Sequence, residues 1–142
     1  MTPEQISLIR GSFEQIAPNA EAVGLSFYDH LFRINPGTRG MFHGEIAAQS
    51  RKLTAMLAAV VDAIDKPWTL EVMVRELGER HVRYGVLDSH YDDVGAALIQ
   101  TLHEGFGEAF DEALESAWAT AYAFLAERMI EASRVASRAS AA

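Results

Sequence analysis

His81 is the residue whose type and position most suggest chemistry. On a predicted helix, Leu70, Val74, Leu77 and His81 follow one another at spacings of 4, 3 and 4 residues, which places the imidazole on the apolar face. A buried imidazole needs a hydrogen-bond partner on each nitrogen, or a metal on one of them. Two interpretations stay open on this pattern alone: a structural histidine bonded to a backbone carbonyl, and a metal ligand.

Two polar residues on other predicted helices could meet a ligand beside His81. Gln49 heads a helix face that is otherwise apolar, through Leu53 and Val60. Its amide could hydrogen-bond a ligand held below it, or it could be a partly exposed residue near a helix start. Tyr28 follows Phe27 close to the core face of the preceding helix, where a buried phenol must find a partner. The alternative for Tyr28 is an ordinary amphipathic tyrosine at a helix boundary.

The other four histidines and the known catalytic motifs provide less evidence for a functional site. His30 and His103 fall off the apolar stripes and are expected to be solvated, whereas His43 and His90 fall in predicted loops. There is no His-x-x-x-His pair and no repeated Glu-x-x-His, which disfavours a zinc protease or a di-iron bundle. A Gly-x-Ser-x-Gly elbow, a phosphate loop and a GxGxxG motif are also missing, so a hydrolase or nucleotide enzyme has no support.

The elements that must position these residues are helices. Apolar residues recur with a period near 3.6, and the prolines stand at or just before helix starts. Thr2 and Gln5 form a capping box before the first helix. We predict an all-α domain of six or seven helices, at about 3–17, 19–34, 36–42, 46–64, 69–83, 90–105 and 108–133. We expect residues 43–45 to be mobile and the tail 134–142 to fray.

Composition sets the class of protein. The 142 residues suit one domain, and 49% of them are hydrophobic, which is enough for one core. The net charge of -8 argues against binding to nucleic acid or an anionic membrane. The absence of cysteine excludes disulfides, zinc-thiolate sites and iron–sulfur clusters. With neither a signal peptide nor a membrane-spanning stretch in the sequence, we expect a single cytoplasmic domain over residues 1–142.

Several stretches resemble bacterial single-domain haemoglobins and the globin domain of flavohaemoglobins. The most specific is LGERHVRYGVLDSHYDDVGAALIQTL at 77–102, with its His-x-x-x-Gly-Val and His-Tyr-x-x-Val-Gly motifs; FYDHLFRINPGTRGMF (27–42), AQSRKLTAMLAAVVDAI (48–64) and SAWATAYAFLAERMI (116–130) also match. The resemblance covers about residues 5–130. It implies a globin fold of six to eight helices around a noncovalently bound haem b, because no Cys-x-x-Cys-His attachment site is present.

The resemblance also implies roles for particular residues. His81 matches the proximal ligand of the haem iron, Tyr28 and Gln49 match the distal residues that hydrogen-bond a bound gas, and Tyr91 matches a tyrosine that supports the proximal histidine. The implied wall of the haem site consists of Phe42, Leu53, Leu57, Val82, Val86, Val94 and Leu98. The implied cations at the rim, which would face the haem propionates, are Lys52, Arg80 and Arg83.

Two departures from these relatives bear on function. The resemblance covers only the globin half of flavohaemoglobins, so we expect electrons to come from a separate reductase or a small reductant. The glutamate that supports the proximal tyrosine corresponds to Ser133, with Glu131 on the wrong side of the helix, which argues against a peroxidase-like proximal histidine.

Three functions stay open. The first is reversible binding of oxygen or another diatomic gas, for oxygen transport or for nitric oxide detoxification by dioxygenation. The others are a haem-based sensor acting through a partner and a helical module without haem. The oligomeric state is open as well.

Overall fold

The computed structural model describes residues 1–141, with side chains as far as Ala139. Within this range the chain forms six α-helices and no strand, which confirms the all-α prediction. The helices are α1 (Pro3–Ile16), α2 (Ala20–Ile34), α3 (Ile46–Ala63), α4 (Pro67–Arg83), α5 (Asp88–Phe106) and α6 (Glu112–Ala141). Short 3₁₀ turns occupy Ala17–Asn19, Pro36–Met41 and Gly107–Ala109.

Local side-chain chemistry explains several helix ends. At the start of α1, the Thr2 hydroxyl accepts from the Gln5 N–H at 3.1 Å, and the Gln5 side chain accepts from the Thr2 N–H at 3.0 Å. This is the predicted capping box. Helix α5 ends where Gly107 takes a φ of 58°, a conformation that favours glycine. The Asp111 carboxylate then caps α6 by accepting from the Leu114 N–H at 2.9 Å.

Three predicted helix limits differ from the structure. Helix α5 begins at Asp88, so His90 lies in its first turn rather than in a loop, and the His90 ring accepts from the Leu87 N–H at 2.9 Å. Helix α6 begins at Glu112 rather than near 108, because residues 107–109 form a separate 3₁₀ turn. It also continues to Ala141, past the predicted end at 133.

The C-terminal extension of α6, beyond residue 133, is joined to the rest of the molecule by an ion pair near its start. Arg134 pairs with Asp88 of α5 at 3.1 Å. The expected fraying of 134–142 in solution stays a prediction, and residue 142 lies outside the described residues. No helix in the described part of the chain is both long and apolar enough to span a bilayer.

Two close helix crossings set the position of the site. A Cβ atom added to Gly24 of α2 would lie 2.6 Å from the Cβ of Ser50 on α3, and one added to Gly78 of α4 would lie 2.6 Å from the Met129 carbonyl oxygen on α6. Only a residue without a side chain allows such an approach. Gly24 lies one turn before Tyr28, and Gly78 lies one turn before His81. The crossings therefore fix where these two side chains enter the interior.

Candidate functional site

A large cavity, of about 1020 Å³, lies among the helices. Its wall is mostly apolar, and it reaches the surface. The structure brings every principal residue of the predicted site to this wall: Tyr28, Phe42, Gln49, Leu53, Leu57, Arg80, His81, Val86, Tyr91, Val94 and Leu98. Val82 and Arg83, also predicted at the site, are not part of the wall.

His81 is held by its own helix. Its Nδ1 atom lies 2.6 Å from the Leu77 carbonyl oxygen, so Nδ1 carries the hydrogen and donates it. Burial lowers the pKa of His81; the Leu77 carbonyl acts in the opposite direction, and the charge of Arg80 lowers the pKa further. A neutral ring with a protonated Nδ1 has its lone pair on Nε2. This is the form of histidine that ligates a metal.

Tyr28 and Gln49 form a polar pair on helices α2 and α3. Tyr28 is only 3% exposed, and Gln49 is half-buried one turn into α3. Burial raises the pKa of the Tyr28 phenol, and the nearby Gln49 amide acts in the opposite direction. The phenol is therefore protonated at neutral pH and can donate a hydrogen bond within the cavity.

Aromatic side chains hold the Tyr28 ring in place. Its centroid lies 5.0 Å from that of Phe27, 5.1 Å from that of Phe42 and 5.8 Å from that of Phe32. The Phe27 and Phe42 rings meet it edge to face, the arrangement that aromatic rings favour. A ring fixed in this way presents its hydroxyl at a defined place.

Tyr91 does not have the supporting partner that the resemblance implies for it. Its ring centroid lies 6.3 Å from that of His81, and its hydroxyl is buried with no hydrogen-bond partner among the described residues. The Ser133 hydroxyl donates instead to the Ile130 carbonyl at 2.7 Å, and the exposed Glu131 carboxylate faces Arg138 at 3.9 Å. Burial, with a contribution from the Asp88 charge, raises the pKa of Tyr91 to about 12.

Cationic and polar side chains lie where the cavity opens. Lys52, Arg80 and the exposed His43 belong to the wall. Arg80 reaches Glu76 at 3.7 Å, whereas Lys52 forms no ion pair with any side chain among residues 1–139. An apolar interior with positive charge at its mouth suits a flat apolar ligand that carries acidic groups on one edge.

The remaining histidines are engaged on the surface. His30 was predicted to be solvated, but it is half-buried and its Nε2 lies 2.7 Å from the Glu104 carboxylate. His103 is exposed and lies 2.7 Å from the Glu115 carboxylate. Both contacts join different helices, and helix periodicity alone does not reveal a partner of this kind.

Sequence reasoning missed part of the wall. Tyr84 was not among the predicted site residues, yet its ring centroid lies 5.6 Å from that of His81. The wall also includes residues far from His81 in sequence, among them Phe13, Ala20, Val23 and Trp118. Ala20 and Val23 share a helix face with Phe27. This spacing could have predicted that they belong to the wall.

Comparisons with known proteins agree with this architecture. The globin family model matches residues 25–129 of the 142. A flavohemoprotein of Bordetella pertussis is 32% identical over 112 residues, which cover 77% of this chain and 28% of that protein. The chain thus spans less than a third of the length of this relative.

Solved structures of two bacterial proteins match over nearly their whole length. A globin of Campylobacter jejuni is 27% identical with a TM-score of 0.82, covering 94% of this chain and 96% of that one. An engineered carbene transferase from Rhodothermus marinus is 28% identical with a TM-score of 0.89, covering 100% of this chain and 99% of that one. The family match, the six-helix fold and the cavity beside His81 lead to one conclusion: the chain belongs to the globin family.

Proposed function

We propose that the cavity binds haem b noncovalently, with His81 as the iron ligand, and that the protein reversibly binds a diatomic gas such as oxygen. The observation that carries the proposal is the hydrogen bond from His81 Nδ1 to the Leu77 carbonyl at 2.6 Å. It leaves Nε2 as the free ring nitrogen of a residue in the cavity wall. When bound, haem would supply an iron with one coordination position open to a gas.

The residues present fit this cofactor. Apolar side chains such as Leu57, Val94 and Leu98 line the cavity and would cover the porphyrin faces while excluding water. Lys52 and Arg80 at the mouth would face the carboxylates of the propionates. The unpartnered Tyr91 hydroxyl is a buried donor that still lacks an acceptor, as expected beside an occupied cavity.

Each polar residue would then have a separate task. The Leu77 carbonyl orients the His81 ring and raises the basicity of Nε2. Tyr28 would donate a hydrogen bond to a gas molecule in the cavity, and Gln49 would orient the phenol or donate as well. Aromatic packing around Tyr28 keeps the donor in position before the gas arrives, so little ordering is needed on binding.

Nitric oxide dioxygenation with electrons from a separate reductase is the second candidate. It is favoured by the Rhodothermus marinus relative, which was proposed to be a nitric oxide dioxygenase and matches this chain over its whole length. The flavohemoprotein relatives point the same way, although this chain matches only 28% of the Bordetella pertussis protein. A cavity of about 1020 Å³ argues against the alternative of a packed helical module without haem, because proteins rarely retain large voids without a ligand.

A haemin titration tests the proposal. We expect the wild-type protein to take up one haem per chain, with a sharp absorption band that saturates at equimolar haemin. His81→Ala should weaken this uptake, and His103→Ala should leave it unchanged, since His103 is exposed and lies outside the cavity wall. If the wild-type protein takes up no haem, or if His103→Ala has the stronger effect, the proposal is wrong.

A further inference from the structure

Tyr84 lies beside His81 and is also open to solvent. Its ring centroid is 5.6 Å from that of His81, and the residue belongs to the cavity wall. It follows the last residue of α4, where the chain turns through Gly85 at a φ of 80°, and it is 60% exposed. A single side chain therefore connects the interior of the site to the surface.

The other tyrosines do not make this connection. Tyr28 and Tyr91 are buried, and Tyr122 is half-buried with its hydroxyl donating to the Tyr91 carbonyl oxygen at 2.6 Å. All four tyrosines of the sequence lie within the described residues, and Tyr84 alone among them is exposed.

Exposure decides which tyrosine beside His81 is readily oxidised. A phenol that loses an electron becomes a strong acid, so its proton has to leave with the electron and needs an acceptor. Water accepts the proton of the exposed Tyr84. The buried Tyr91 hydroxyl has no hydrogen-bond partner among the described residues, and a positive charge left on its ring in apolar surroundings is costly. Tyr84 is thus the tyrosine at this site that is able to release an electron and a proton together.

A hydroperoxide is the class of oxidant that suits this cavity. It is small and uncharged, the wall is mostly apolar, and the Tyr28 phenol is a hydrogen-bond donor in that wall. Cleavage of its oxygen–oxygen bond takes up two electrons, whereas an iron that passes from the ferrous to the ferric state supplies one. His81 donates its Nδ1 hydrogen to the neutral Leu77 carbonyl rather than to a carboxylate, so it gives little support to further oxidation of an iron that it binds. The second electron is therefore expected from a neighbouring side chain.

We propose that Tyr84 is an electron relay through which the protein reduces hydroperoxides with small one-electron reductants. The oxygen–oxygen bond breaks and yields an alcohol and water. One electron comes from ferrous haem, whose binding is the proposed function on which this activity rests, and the other comes from Tyr84. One proton comes from the Tyr84 hydroxyl by way of water, and the other comes from solvent. A reductant of the ascorbate class then returns one electron and one proton to the Tyr84 radical at the surface. Gas binding itself takes no electron from Tyr84.

Photo-oxidation of the protein as purified tests the reactivity of Tyr84 without relying on haem. With photogenerated ruthenium tris-bipyridine and persulfate as the oxidant, we expect the wild-type protein to form a dityrosine-linked dimer and Tyr84→Phe to form none. An equal yield of dityrosine in Tyr84→Phe would show that another tyrosine is oxidised, and it would overturn the assignment.

Freeze-quench electron paramagnetic resonance of the haem-loaded ferrous protein, mixed with tert-butyl hydroperoxide, tests the relay. We expect a tyrosyl radical signal in the wild type that ascorbate removes, and loss of this signal in Tyr84→Phe. Trp68→Phe is the matched control, because Trp68 is 88% exposed on the same helix but lies outside the cavity wall, and it should retain the signal.

Two results would overturn the relay: a tyrosyl signal that persists in Tyr84→Phe, and a signal that is lost in Tyr91→Phe instead. A protein that takes up no haem refutes the proposed function and the hydroperoxide reaction together. A haem-loaded protein without the Tyr84 radical refutes the relay alone and leaves the proposed function standing.

Discussion

Replacement of Tyr28 by phenylalanine tests the proposed gas-binding side of the cavity most sharply. The change removes one hydroxyl and keeps the ring, so the edge-to-face contacts with Phe27 and Phe42 are retained. Tyr28 is 3% exposed, and therefore water cannot readily replace the lost donor. The variant thus isolates a single hydrogen bond.

The size of the effect follows from the energy of that bond. A hydrogen bond to an acceptor with partial charge contributes roughly 1.5–3 kcal/mol. At about 1.4 kcal/mol per factor of ten, its loss should raise the oxygen dissociation rate by roughly 10- to 100-fold. Carbon monoxide is a weaker acceptor, so its dissociation rate should change much less.

Stopped-flow displacement of oxygen by carbon monoxide measures this rate on the haem-loaded protein. Tyr84→Phe is the matched control, because Tyr84 lies near His81 but is 60% exposed. We expect the control to match the wild type. An oxygen dissociation rate within about twofold of wild type in Tyr28→Phe would show that the phenol does not donate to the gas.

Three further predictions concern the pair partner, the cofactor and the fold. Gln49→Leu should raise the oxygen dissociation rate less than Tyr28→Phe in the same assay, since Gln49 acts mainly on the phenol. Acidified butanone should extract all the haem from the polypeptide, because the sequence has no cysteine; haem left on the chain would contradict this. Gly78→Ala should lower the free energy of unfolding by about 1–3 kcal/mol in urea titrations, since its Cβ would lie 2.6 Å from the Met129 carbonyl. Gly11→Ala, with open space around it, should be neutral or stabilising.

Helix periodicity predicted the central residues of the candidate site because each of them is set by the face of a single helix, whereas most of the wall was predicted from the family resemblance. His81 follows the Leu70–Leu77 stripe, and Gln49 heads the apolar face of α3, so both were placed toward the interior before any packing was known. Val82, one residue from His81, shows the limit. It was expected in the wall because of family resemblance, but it is not part of the wall.

Features that depend on how two helices pack together could not be predicted from the periodicity of either helix alone. The cavity exists because helices from distant parts of the chain meet at particular angles, and those angles depend on contacts such as Gly24 of α2 against Ser50 of α3. The His30–Glu104 pair joins residues 74 positions apart. The start of α5 at Asp88 was missed for a different reason: the His90 ring caps the Leu87 N–H, an uncommon role for histidine.

Chemical rescue of His81→Gly is the most direct test of the central claim, that His81 binds iron through Nε2. The variant removes the ring and leaves space within the wall, and Leu77 keeps its carbonyl free to hold a small imidazole. We expect the variant with haemin to lack the wild-type ferrous spectrum, and added imidazole to restore that spectrum in a saturable manner. A wild-type spectrum in His81→Gly without imidazole would mean that another residue holds the iron, and the account of this site would be wrong.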